Sequence, residues 1–218
     1  MKPQVIAYCE VSADGKSTHR RHASSKPMMK FEDEAIRRYR HGLRARCDAI
    51  LVGANTAKLD NPLLTVRDAM GPDPLRVVPS SRGDLPLDLN LLTDGGRTLI
   101  AVSEAAPDSH RSALRATGAE VLVAGTDRVD LPALLTQLGQ RGVLSLMVEG
   151  GATILASLFR AGMVDRLIVQ HLPVVFGGDD TPAMVGGPPL QNVDDAIPLS
   201  LVEVQRVGHH AVIVYERR

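Results

Sequence analysis

Tryptophan is absent from this sequence, and the other aromatics are few: three Tyr and three Phe, 3% of 218 residues. Binding of single-stranded nucleic acid relies on aromatic platforms for base stacking, so that class is disfavoured. Net charge is missing too. Twenty-five Lys and Arg balance 25 Asp and Glu, which argues against a general nucleic-acid or membrane surface. The two cysteines, Cys9 and Cys47, are too few for a disulfide scaffold. Both lie in apolar contexts and read as small buried hydrophobes rather than nucleophiles. No apolar run approaches the roughly 18 residues of a membrane span. The opening stretch Val5 to Cys9 stops at Glu10, too short for a signal peptide. The expectation is a reduced, cytoplasmic protein with no nucleic-acid or membrane partner.

What is present is an ordinary globular composition, 44% hydrophobic and 23% charged. Short runs rich in Val, Ile and Leu read as buried strands: Val5 to Val11, Ala49 to Gly53, Leu75 to Val78, Thr98 to Ser103, Glu120 to Val123, Leu144 to Val148 and Arg166 to Val175. Continuous apolar character suits parallel strands covered on both faces. Helical patterns lie between them at Glu32 to Arg46, Asp108 to Thr117, Leu131 to Arg141 and Thr153 to Ala161. The alternation predicts an α/β sheet. Leu199 to Val207 and Ala211 to Tyr215, separated by Gly208-His209-His210, predict a closing antiparallel hairpin. Neither a repeat nor a composition break divides the chain, so residues 1–218 are expected to form one domain.

The first helix has acids Glu32, Asp33 and Glu34 at its start and Arg44 and Arg46 at its end, matching the helix dipole. Asp33 with Arg37 and Glu34 with Arg38 are spaced as i,i+4 pairs. The run from Arg37 to Arg46 therefore reads largely as a solvated face. His19-Arg20-Arg21-His22 reads as a solvated basic loop, since zinc requires three or four ligands. His171 reads as a core histidine and His209-His210 as turn residues. No metal is expected.

Two stretches carry candidate chemistry. Val148-Glu149-Gly150-Gly151-Ala152-Thr153 runs from a strand into a helix. Glycines there allow either a tight turn or a close backbone approach to a phosphate at the helix N-terminus. The G-x-G-x-x-G and Walker sequences are absent, which disfavours a standard Rossmann or P-loop site. Glu149 ends a buried strand, where open α/β sheets bind ligands. In the second stretch, Gly53-Ala54-Asn55-Thr56 reads as a turn after a strand, followed by Asp60-Asn61-Pro62-Leu63-Leu64-Thr65-Val66-Arg67. Arg67 is either a phosphate ligand or a surface charge.

Taken together these pieces, with Val11 to Lys16, Leu43-Arg44-Ala45, Leu158-Phe159, Gly162 to Asp165 and Pro173 to Gly178, resemble the reductases of riboflavin biosynthesis. That family comprises the archaeal-type diaminopyrimidine-phosphate reductases and the C-terminal half of the bacterial bifunctional deaminase-reductases. The resemblance covers essentially the whole chain and includes no deaminase half. It implies a dihydrofolate-reductase-like fold: a mixed, mostly parallel sheet flanked by helices. It also implies reduction, with NADPH as cofactor, of the ribose of a ribosylaminopyrimidine 5′-phosphate to the ribitylamino product. By matching position it assigns Gly53, Thr56, Asp60, Ser81, Gly150, Gly151, Ala152 and Thr153 to the cofactor. Arg44, Leu64, Arg67 and Glu149 are assigned to the substrate. The family reaction needs no nucleophile; Glu149 and Asp60 are the carboxylates able to orient the sugar or relay a proton. A homodimer is implied by analogy alone.

Several positions depart from the family pattern. Tyr8 stands where Asn or Lys is usual, Glu10 where the residue is small, Ser80-Ser81-Arg82 in place of Asp-Ser-Arg, and Met29-Lys30 in place of Ile-Ser. The departures leave room for another hydride acceptor, dihydrofolate or a specialised-pathway pyrimidine. A non-catalytic nucleotide-binding protein is the alternative from a different class.

Overall fold

The computed structural model describes residues 1–218. Its elements run β1 (Gln4–Ser12), α1 (Glu34–Ala45), β2 (Ala49–Leu51), α2 (Ala54–Asp60), β3 (Leu75–Pro79), α3 (Asn90–Thr93), β4 (Thr98–Val102) and α4 (Asp108–Ala116). They continue with β5 (Glu120–Val123), α5 (Leu131–Gln140), β6 (Ser145–Val148), α6 (Ala152–Arg160), β7 (Arg166–Leu172), β8 (Leu199–Val207) and β9 (His210–Arg217). All nine strands join one sheet in the order β5-β4-β3-β2-β6-β1-β7-β9-β8. β5 through β7 pair in parallel, and β9 joins β7 and β8 antiparallel. This is the mostly parallel, dihydrofolate-reductase-like sheet with the terminal hairpin that the sequence led us to expect.

Alternation along the central strand divides the core. Val5, Ala7, Cys9 and Val11 of β1 face one layer with the leucines of α5 and α6. Tyr8 faces the other, with Ile36 and Leu43 of α1, Ala57 of α2 and Leu114 of α4. Both cysteines are buried as expected. Burial pushes the Cys9 thiol up to about 12 and the Cys47 thiol up to about 11, so neither is a ready nucleophile. No helix is long and apolar enough to cross a membrane.

Five local expectations are corrected. α1 starts at Glu34, because the Asp33 carboxylate accepts a hydrogen bond from the Ile36 N–H and caps the helix. Glu32 therefore lies outside the helix, on extended backbone. Its carboxylate turns inward to Arg40. Asp33, occupied as a cap, does not pair with Arg37; Arg37 lies instead 3.8 Å from Asp68. Glu34 and Arg38 do pair.

The arginine run is only partly a solvated face, since Arg40 and Arg44 are buried. They share the inner arc of α1 with Ile36, at steps of four residues. The stretch after Gly53 is a helix rather than a turn. Alanines at 54 and 57 propagate it, and it ends at Asn61, whose left-handed φ of 38° closes the C-terminus. Finally, His210 is not a turn residue. It opens β9 and is 1% exposed.

Candidate functional site

β2 and β6 are neighbours in the parallel sheet, so the segments leaving their C-terminal ends emerge side by side. One is Gly53, which caps α2; the other is Glu149-Gly150-Gly151, which leads into α6. A Cβ on Gly151 would sit 3.6 Å from the Gly53 backbone, and one on Gly53 would press to 3.1 Å from Ile154. The two loops thus touch backbone to backbone. Gly150 and Gly151 have φ of 86° and 92°, values that side-chain-bearing residues rarely adopt. A Cβ on Gly150 would meet nothing within 4 Å, so the turn opens onto empty space. No side chain caps α6, which leaves the N–H groups of Ala152 and Thr153 to serve an external acceptor. Gly53, Gly150, Gly151, Ala152 and Thr153 come together here, with half-buried Thr56 on α2.

Asp60, at the end of α2, is 8% exposed. Its two oxygens accept hydrogen bonds from the Ser25 N–H at 2.9 Å and the Ser25 hydroxyl at 2.7 Å. It thereby holds the 24–31 segment against α2. Ser81 follows β3 on the same edge, and its hydroxyl accepts a hydrogen bond from the Val129 N–H.

Arg44, near the end of α1, closes the site from the other side. Its Nε and Nη2 each donate to one Glu149 oxygen at 2.6 Å, and Nη1 donates to the Thr65 carbonyl at 2.9 Å. Burial alone would raise the Glu149 carboxyl, but the Arg44 guanidinium holds it below its ordinary value. The carbonyl contact draws the 61–67 loop over α1. Leu64 in that loop has a left-handed φ of 56° yet is 2% exposed, a conformation costing about 1 kcal/mol or more that packing must offset.

His41 completes the loop's anchorage. Its Nδ1 accepts from the backbone N–H groups of Arg67 at 2.8 Å and Asp68 at 3.1 Å. Burial, with Arg44, Arg67 and Arg40 nearby, pushes the imidazole down to about 4. The Arg67 guanidinium forms no salt bridge. It donates to the Thr65 hydroxyl at 2.7 Å and is exposed to solvent. The structure thus brings Arg44, Leu64, Arg67 and Glu149 together.

Alongside lies a group only partly anticipated. Tyr8 and Glu10 point from β1 to the α1 face. Glu10 sits in register with Gln170 of β7, and the Tyr8 hydroxyl donates to the Gln170 side-chain amide oxygen Oε1. Arg40 Nη1 bonds both Glu10 and Glu32, while its Nη2 bonds Glu32 at 2.9 Å. A carboxylate on a central strand demands such a partner, because an unpaired buried charge is prohibitive. Glu32, Arg40 and Gln170 were not singled out in the sequence. The available signal was spacing: Arg40 stands four residues from both Ile36 and Arg44.

The family model described as the RibD C-terminal domain matches residues 3–213. A 2,5-diamino-6-ribosylamino-4(3H)-pyrimidinone 5′-phosphate reductase of Aquifex aeolicus is 44% identical over 201 residues, 92% of this chain and 90% of that protein. One of the same name from Methanothermobacter thermautotrophicus is 38% identical over 218 residues, covering 99% and 98%. The solved pyrimidine reductase-like protein of Corynebacterium diphtheriae superposes with a TM-score of 0.80 at 20% identity, over 99% of this chain and 92% of that one. It shares the fold. The matched span takes in the double-glycine turn, the Arg44–Glu149 pair and the Arg67 loop alike, and the chain belongs to the RibD C-terminal domain family.

Proposed function

We propose that this chain, as a single reductase domain, reduces the ribosyl group of a ribosylaminopyrimidine 5′-phosphate with NADPH, as a step of riboflavin biosynthesis. The observation that carries the reading is the state of Arg67. It is an exposed guanidinium that forms no salt bridge with a carboxylate, and it stands on the loop that Arg44 and His41 hold against α1. A phosphate dianion suits such a fork. The names of the Aquifex and Methanothermobacter proteins supply the substrate class.

The donor set fits the cofactor. A Cβ on Gly150 would meet nothing within 4 Å, which leaves the backbone N–H groups of the turn open to a diphosphate, and the uncapped start of α6 favours an anion. Gly53, Thr56, Ser81, Gly150, Gly151, Ala152 and Thr153 would hold it, and Asp60 keeps the Ser25 segment in place above α2. The bound nicotinamide supplies the hydride. Arg67 holds the phosphate end of the substrate. Glu149, its oxygens oriented by Arg44, accepts hydrogen bonds from sugar hydroxyls with lone pairs that Arg44 leaves free. Leu64 walls the site against water. The residues thus position more than they react.

The two buried thiols accord with a reducing cytoplasm. A homodimer is supported by β8, an edge strand exposing Leu201, Val202 and Val204, which a second copy would cover. A second reading, hydride transfer to a different acceptor, draws on the neutralisation of Arg40 by Glu10 and Glu32, which withholds a cation from a phosphorylated ligand.

The test measures NADPH consumption by the full chain with the 2,5-diaminopyrimidinone ribosyl phosphate, its deaminated uracil analogue and dihydrofolate, with the product identified. Turnover of either ribosyl phosphate to the ribityl product is expected. Activity on dihydrofolate alone would support the second reading. NADPH binding without turnover of any would sink both.

A further inference from the structure

Three carboxylates and two guanidinium groups crowd the α1 face of the sheet. Arg44 and Glu149 form a closed pair. That leaves one cation, Arg40, for two acids. Glu32 holds it through both oxygens with its side chain at 0% exposure. Glu10 touches it through Oε1 only, and its side chain is 23% exposed. Two carboxylates on one guanidinium carry an excess negative charge, which a single bound proton removes.

The proton belongs on Glu10. Glu32 meets the cation through both oxygens and has no exposed edge. Glu10 meets Arg40 through Oε1 alone, and its side chain keeps an exposed edge of 23%. Every charged or titratable neighbour points the same way except Arg40. Burial comes first, Glu32 and Glu149 add to it, and together they push the Glu10 carboxyl up to about 7. Tyr8 on the same strand is itself held protonated by burial, and Arg44 is committed to Glu149.

A second, independent observation marks the space beside Glu10 as a ligand position. Gln170, across the β1–β7 ladder from Glu10, is 0% exposed, and its amide nitrogen has no partner. The Arg40 Nε is likewise buried without one. Such groups are destabilising when left unmet, and an oxygen-bearing ligand would meet them.

We propose that Glu10 is the proton donor of the reduction. The inference rests on the reductase reading above. That reaction consumes one hydride and one proton: a C–H bond forms at the sugar C1′, the C1′–O4′ bond breaks, and O4′ takes the proton to become a hydroxyl. The nicotinamide is the reductant and is oxidised. Glu10 Oε2 gives up its proton to O4′ and is reprotonated from water through the exposed edge of its side chain.

The test compares the wild type with Glu10→Gln and Glu10→Ala. Glu10→Gln should lower kcat about a hundredfold with little change in KM or NADPH affinity. Wild-type kcat should fall as pH rises through about 7, a limb that Glu10→Gln lacks. Formic or acetic acid should restore part of the Glu10→Ala rate. Independently of turnover, infrared spectroscopy of the resting protein should show a protonated-carboxyl band that titrates in the same pH range and is missing from Glu10→Gln. Undiminished kcat and an unaltered pH profile in Glu10→Gln, with an active wild type, would overturn the proton-donor role alone. A wild type inactive on both ribosyl phosphates would overturn the reductase reading and this inference together. Loss of activity in Glu10→Ala that acids do not rescue, with lowered NADPH affinity and thermal stability, would reduce Glu10 to a structural partner of Arg40.

Discussion

Arg44 and Glu149 meet side by side, Nε and Nη2 each 2.6 Å from a different carboxylate oxygen. The contact joins the last turn of α1 to the end of a central strand, so it fixes both walls of the site at once. Removing one partner strands the other as a buried charge, at about 3–5 kcal/mol. Glu149→Ala should lower the melting temperature by about 10 °C. Combining it with Arg44→Met should recover part of the loss in a double-mutant cycle. Strict additivity of the two would mean the pair is incidental.

Arg67→Ala removes the guanidinium that has no acid partner. KM for the phosphorylated substrate should rise about 10- to 100-fold, the range of one or two charge-assisted hydrogen bonds. NADPH affinity should stay nearly constant. Fluorescence titration of the cofactor is the control, and an equal loss there would put Arg67 on the wrong ligand.

His41 links the site to pH. In the folded chain it stays neutral until about pH 4, whereas the unfolded chain takes up the proton near 6.5. The unfolded state therefore binds more protons between those values. The stability that neutral His41 contributes is complete above about 6.5 and lost as pH falls toward about 4, on the order of 2 kcal/mol. Denaturant unfolding across this range should show the decline, and His41→Gln should flatten it.

Gly150→Ala places a methyl in the opening of the turn, where nothing lies within 4 Å, at a φ of 86°. The backbone strain should cost about 1 kcal/mol of stability. If a diphosphate lies against that glycine, NADPH affinity should fall at least tenfold, measured by calorimetry. Unchanged affinity would remove the cofactor from this turn.

The β8 edge carries Leu201 and Val204 at 61% and 62% exposure. Leu201→Glu with Val204→Glu should shift a dimer to monomer in analytical ultracentrifugation. A wild-type chain that sediments as a monomer would dispose of the dimer outright.

Strands were the most legible part of the sequence because uninterrupted Val, Ile and Leu runs have few uses besides a doubly covered parallel sheet. Helix α2 was hidden by its own composition. Asn55-Thr56 after a glycine looks like a turn until Gly53 is seen to cap a helix. Arg40 and Glu32 were hidden for another reason. Helical charge spacing alone accounts for an arginine-rich stretch, and only packing on β1 decides that Arg40 faces inward. Gln170 looks like a chance polar residue in an apolar strand until the register sets it opposite Glu10. Local pattern reveals elements; which distant side chains share a face is a property of the assembled sheet.

The Asp33 carboxylate has two obligations, accepting from Ile36 at the head of α1 and from the His209 backbone at 2.8 Å. A methyl group on Gly208 would collide with it. The outermost hairpin is thereby spliced to the helix that carries Arg40 and Arg44, and any side chain at 208 would unseat both. A residue that touches no ligand, at the rim of the molecule, is thus bound by the tolerances of the chemistry at its centre.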